Sequence, residues 1–265
     1  MSRVFAILTL ASSVTAASLT TLISVSEEVQ LGREMQQQVR REVPVVRDTA
    51  VNEYVRGIGR RLVAKAGGPS YPYSFTVANQ REINAFALPG GPVWVHRGVI
   101  AAARNEAQLA AVVAHEIAHI SRRHAADRMT KQLVANGLIG FMGALLGNDA
   151  GARSAQTGAR LLAGGYMLKF SRDDERDADA AGAVIMRRAG WDPREMAAFM
   201  KILAAEQGRA PSDVAVFLSS HPAPAERAAR LRATVKSRGG LKTTAAFNRI
   251  KARLAGMPPA PRMKR

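Results

Sequence analysis

Val51, Val55, Ile58 and Leu62 follow one another at steps of three and four, which predicts an amphipathic helix. Asp48 would cap its start, and Gly67-Gly68-Pro69 would end it. Upstream, from Glu27 to about Val43, the pattern is also helical but richer in polar residues. The rhythm then changes. YSFTVA, INAFAL and VWVH alternate apolar and other residues around the PGGP turn at 89–92, which predicts a small antiparallel sheet with a hairpin. Asn105 followed by Gln108 forms a capping-box signature for a helix through Leu109, Val112, Val113, Ile117 and Ile120.

Residues 132–147, QLVANGLIGFMGALLG, are apolar but shorter than a membrane span and are expected in the buried core. A loop rich in Gly, Ala, Asn and Ser follows, so a flap or a membrane-surface patch stays open as an alternative. Another helix is predicted from near Ser171 to Gly190, and Asp192-Pro193-Arg194-Glu195 supplies a cap, a first-turn proline and a box glutamate for the next. From Pro224 to about Leu254 the chain is helical, rich in Arg and Ala, and expected to be peripheral; the tail PPAPRMKR is expected to be unfolded. The expected fold is α+β and mostly helical, divided into a leader at 1–16, a main domain at 27–235 and a basic helical extension with a disordered tail at 236–265.

Composition narrows the chemistry. With 265 residues the chain is long enough for a sizeable core. No cysteine is present, which excludes disulfides and thiolate metal sites, so any zinc must take His and carboxylate ligands. Lys and Arg number 38 against 21 Asp and Glu, a net charge of +17. Such a charge suits an anionic partner such as lipid headgroups, or else a generally solvated cationic surface. No basic run interleaved with aromatics stands out, and nucleic acid is not expected as a partner. MSRVFAILTLASSVTAASL carries one early Arg3, an apolar stretch from Val4 to Leu10, and Val14-Thr15-Ala16 as a cleavage site. That is the pattern of a secretory signal peptide and implies the periplasm or cell envelope, with an uncleaved anchor as the alternative.

Three of the five histidines lie in AAVVAHEIAHISRRH, residues 110–124. On a helix, His115 and His119 are about 40° apart around the axis and one turn apart along it, so two imidazoles reach one ion. Glu116 lies between them in angle and can hold water at that ion. This is the HExxH arrangement of two zinc ligands and a general base. His124 would sit about 140° beyond His119 on a continuing helix, facing away as a bystander. A third ligand must come from elsewhere, and KFSRDDERDADAAG at 169–182 offers Glu175, with Asp179 one turn on to accept the outer N–H of a ligand histidine. His221, in SSHPAPAERAAR, would hydrogen-bond the oxyanion of the transition state, with Arg227 adding positive charge. Two alternatives stay open for His221: the free coordination position, keeping the site latent, or no role. His96 has no such context and is expected on a strand surface.

VAHEIAH, SRDDERDADAAG and SHPAPAER, preceded by INAFALPGG, together resemble peptidase family M48 over about residues 27–235. That family comprises HtpX-like, BepA-like and CAAX-prenyl-protease-like zinc metallopeptidases. The resemblance implies a gluzincin-type domain with its sheet beside the HExxH helix and one Zn²⁺ held by His115, His119 and Glu175. It further implies Glu116 as general base, Asp179 behind a ligand, and His221 and Arg227 near the transition state. Asn84, Ala85, Phe86 and Ala87 match the family's edge strand over the cleft, where an extended peptide would add by strand pairing. The implied activity is cleavage of unfolded or misassembled envelope proteins; a non-proteolytic assembly factor with a latent zinc site is the alternative. Some members have flanking membrane spans or C-terminal helical repeats, neither of which is visible in this chain, so a minimal secreted catalytic domain is expected.

Overall fold

The structure is a computed structural model describing residues 21–145, 169–236 and 239–263. The expected leader at 1–16 and the loop after residue 147 lie outside them. Helix α1 (Val25–Glu42) opens with a capping box, in which Ser24 accepts from the Glu27 N–H and Glu27 accepts in return from Ser24. Helix α2 (Thr49–Val63) begins, as the pattern predicts, with the Asp48 carboxylate accepting from the Val51 N–H at 3.1 Å, and buries Val51, Val55, Ile58 and Leu62.

Three strands follow: β1 (Ser74–Ala78), β2 (Ala85–Ala87) and β3 (Pro92–His96). Here the structure corrects the antiparallel sheet. The order is β1-β3-β2; β2 and β3 form the expected hairpin, pairing Phe86 with Trp94, but β1 runs parallel to β3. Residues 79–84 carry the chain past the width of one strand, leaving room for β3 to insert between β1 and β2. The PGGP turn lies directly beneath α1. A methyl group on Gly32 would fall 1.9 Å from the Pro89 carbonyl oxygen, so only glycine lets the helix settle there. On that side Val39 of α1 packs with Phe86, Leu88 and Trp94 in a small core of its own.

The main core lies on the other face of the sheet. A short helix α3 (Arg97–Ala102) leads to α4 (Glu106–Ser121), whose Asn105 cap accepts from the Gln108 N–H at 3.0 Å. Every residue of α4 is buried. Helix α2, the sheet, α6 (Arg172–Arg188) and α7 (Arg194–Arg209) surround it, so polar atoms on α4 must find partners inside the protein. Helices α8 (Pro211–Ser220), α9 (Pro224–Thr234) and α10 (Ala245–Ala255) complete the described chain, together with α5 (His124–Leu145).

Five further expectations change. His96 is completely buried at the end of β3 rather than on a strand surface, and burial pushes its pKa down to about 4. Leu133 and Val134 on α5 are exposed, not core, and among the described residues no helix is long and apolar enough to cross a membrane. The C-terminal extension is not peripheral: Phe247, Ile250 and Leu254 enter the main core. Its tail is tied down as well. Arg97 donates to the Leu254 and Pro258 carbonyls, and the Met263 N–H donates to Glu82 at 3.0 Å. Finally, Asp192 accepts from the Arg194 N–H, but Glu195 turns to Asn105 and Gln108 instead of closing a capping box.

Candidate metal centre

Helix α4 brings His115 and His119 onto one face, with their Nε2 atoms 3.0 Å apart. Ser171 caps α6 through a capping box with Asp174, which fixes where that helix starts. Its first turns lie against α4, and Glu175 meets both histidines: Oε2 is 3.5 Å from His115 Nε2, and Oε1 is 3.4 Å from His119 Nε2. Gly182 lets the two helices approach, since a methyl there would lie 3.3 Å from the His115 backbone nitrogen. From the junction of α8 and α9, His221 Nδ1 comes within 3.3 Å of His115 Nε2 and 2.8 Å of Glu175 Oε1. Two imidazoles and one carboxylate, from helices sixty residues apart in sequence, thus converge with a third imidazole.

These donors fit a metal ion. Ligands held at about 2.0–2.1 Å around a tetrahedral ion stand roughly 3.3 Å from one another, and the separations here bracket that value. One orphaned group fits as well. Neither oxygen of the fully buried Glu116 has a hydrogen-bond partner among the described residues. Buried carboxylate oxygens without partners are costly unless an ion or water completes them. Glu116 Oε1 lies 3.6 Å from His221 Nε2.

The surroundings set the charges. Asp179 Oδ1 faces His115 Nδ1 at 3.2 Å, one turn beyond Glu175, as the spacing predicts. Arg227 is 2% exposed, and its guanidinium is committed to carboxylates: Nη2 to Asp179 Oδ1 at 2.6 Å, Nε to Asp179 Oδ2 at 2.9 Å, and Nη1 beside Glu175 Oε2 at 2.5 Å. It therefore lies between Glu175 and Asp179, because two buried anions attract the nearest buried cation. Arg230 adds a contact to Asp179 at 3.1 Å. Burial opposes ionisation of Glu175, but His221 and His115 outweigh it and hold the carboxyl well below the usual range. For Asp179 burial likewise opposes, and Arg227 with His115 prevails in the same direction. Burial and Arg227 disfavour a proton on His115, yet Glu175 and Asp179 prevail and push its pKa up to about 9. Burial drives His119 the other way, well below the ordinary imidazole value.

Asn84, Ala85 and Phe86 have buried side chains, Phe86 stacking on Trp94, whereas the half-buried Ala87 borders a small pocket shared with His119 and Phe170. Strand β2 pairs only with β3 among the described residues, so it is a sheet edge. Sequence reasoning missed two features. Phe170 stacks on the His119 ring with centroids 3.8 Å apart. His124 does not face away, because α4 stops at Ser121 and the chain turns at Arg123, with φ of 61°, before α5 begins. His124 Nδ1 ends 2.9 Å from His119 Nδ1. No hydrophobic periodicity signals that break.

The chain is similar to known proteins over the same region. The family model described as peptidase family M48 matches residues 49–235. The β-barrel assembly-enhancing protease of Escherichia coli strain K12 is 34% identical over 245 residues, covering 89% of this chain and 50% of the relative. The putative protein of that name from Vibrio cholerae is 32% identical, with 89% and 51% covered. The mitochondrial metalloendopeptidase OMA1 of Schizosaccharomyces pombe is 32% identical over 66% of this chain and 50% of its own length. The chain thus spans about half the length of the curated relatives it matches. With its donor cluster, its HExxH helix and this match in agreement, the chain belongs to peptidase family M48, a family of metallopeptidases.

Proposed function

We propose that the protein is a zinc endopeptidase of the bacterial cell envelope that cleaves unfolded or misassembled proteins. The observation that carries this is the convergence of His115, His119 and Glu175 beside a buried Glu116 whose oxygens lack hydrogen-bond partners among the described residues. The donor set of two imidazoles and one carboxylate, with no thiolate, suits zinc. A bound zinc ion would polarise the scissile carbonyl and acidify water beside it. Glu116 then takes a proton from the attacking water and delivers it to the departing amine. Asp179 orients His115 by accepting its Nδ1–H, and Arg227 keeps Asp179 and Glu175 ionised within the core. In this reading His221 has two positions: where it now lies, its Nδ1 is a fourth donor that keeps the site latent. Moved aside, it donates to the oxyanion of the transition state.

An extended substrate would pair with the β2 edge through backbone groups at Asn84–Ala87, which is compatible with buried side chains there. The leader-like N-terminus supports an envelope location, and the name of the bacterial relatives links them to β-barrel assembly. Misassembled β-barrel proteins are accordingly the substrate class we assign. The test is digestion of casein and of a denatured porin, with zinc content measured on the same samples. Glu116→Gln should keep zinc and lose cleavage by at least about a hundredfold; full activity in that variant would refute the assignment of the base.

A further inference from the structure

The third histidine of the HExxH segment is in contact with the centre, although its spacing places it elsewhere. Arg123 occupies the left-handed region, which a non-glycine residue adopts only when held there. It is held: Arg123 Nε lies 3.2 Å from Glu28 Oε2, and Arg123 Nη2 donates to the Ile23 carbonyl. That turn folds the buried His124 back onto His119. His124 Nδ1 lies 2.9 Å from His119 Nδ1, and His124 Nε2 lies 3.2 Å from Asp177 Oδ2. Arg122 Nε meets the same Asp177 oxygen at 3.2 Å.

We propose that His124, backed by Asp177, is a positioning residue that fixes the tautomer and orientation of His119. This rests on the zinc reading above. With Nε2 of His119 as the metal donor, its one ring proton must sit on Nδ1. His124 Nδ1 must then be an acceptor, which places the His124 proton on Nε2, facing the Asp177 carboxylate. Every proton in the row has a single place. The two metal-facing histidines are thus oriented by different means. His115 meets Asp179 directly, while His119 reaches a carboxylate through one intervening imidazole. Asp177 lies on the half-exposed side of α6, and the His124 ring spans the gap.

The test compares zinc affinity, by chelator competition, in the full chain and in His124→Phe, His124→Asn and Asp177→Asn. Thermal unfolding of the zinc-free forms monitors folding. Removing a partner of this kind weakens metal binding by about 10–100-fold, and that loss is expected for His124→Phe. Asparagine places an acceptor oxygen where Nδ1 stood, so His124→Asn should recover most of the affinity. Asp177→Asn should weaken binding less than His124→Phe. Nitrogen NMR of the zinc-loaded protein should find His119 protonated on Nδ1. Zinc affinity in His124→Phe within about twofold of the original would overturn the inference. So would His124→Asn as weak as the phenylalanine variant, or a His119 proton on Nε2. Failure of the unsubstituted chain to bind zinc would instead remove the underlying reading, and this one with it.

Discussion

Replacing Arg227 by methionine removes one cation from the most highly charged part of the core while keeping much of its volume. The side chain is 2% exposed and lies between Glu175 and Asp179, both of which are equally buried. Taking away one partner of a buried ion pair costs about 3–5 kcal/mol, because the remaining charge stays desolvated. For a domain of this size that corresponds to a fall in Tm of roughly 6–20 °C. The sign of the pH dependence follows from the depressed carboxyls. In the native protein their ion pairing stabilises above the ordinary carboxylate pKa of about 4 and is lost as pH falls through the lower folded values.

In Arg227→Met burial acts with less opposition, so the carboxyls take up protons at higher pH and the deficit should shrink between about pH 7 and pH 5. Zinc should shrink it further, since the ion replaces part of the missing positive charge beside Glu175. Urea unfolding of both proteins, with chelator and with zinc, at several pH values measures all three effects. A deficit below about 1 kcal/mol at neutral pH, unchanged by zinc or acid, would refute the claim that Arg227 compensates buried carboxylates.

Other outcomes follow from the same geometry. Because the His115 pKa is pushed up to about 9, zinc bound as proposed would have to displace a proton at neutral pH. Affinity should therefore rise close to tenfold per pH unit up to about 9, and calorimetry in buffers of different ionisation enthalpy should report proton release; binding independent of pH would contradict it. Phe247→Ala should cost about 3–5 kcal/mol, since the ring is fully buried in the main core; a loss under about 1 kcal/mol in urea unfolding would return the C-terminal helix to the periphery. Gly32→Ala should destabilise by at least about 1–3 kcal/mol despite alanine's better helix propensity, because its methyl meets the Pro89 carbonyl; an unchanged Tm would show that α1 does not rest on that turn.

Local chemistry made a good part of the protein readable from its residues. Asp48, Asn105 and Ser171 cap helices where short polar side chains precede a helical pattern, since an orphan N–H donates to whatever oxygen lies nearest in sequence. The pairing of His115 with His119, and of Glu175 with Asp179, follows from helical pitch alone. Strand directions did not follow. Alternation marks a strand but says nothing of which neighbour it joins, and β3 enters between β1 and β2 only once all three share a core with α4. Two other matters required the folded chain, namely the burial of the C-terminal helix and the path of His124. The first depends on Arg97 reaching carbonyls some 160 residues away, the second on Glu28 holding a left-handed Arg123. Periodicity describes one element at a time, whereas these placements arise from distant groups that meet only after the chain has closed on itself.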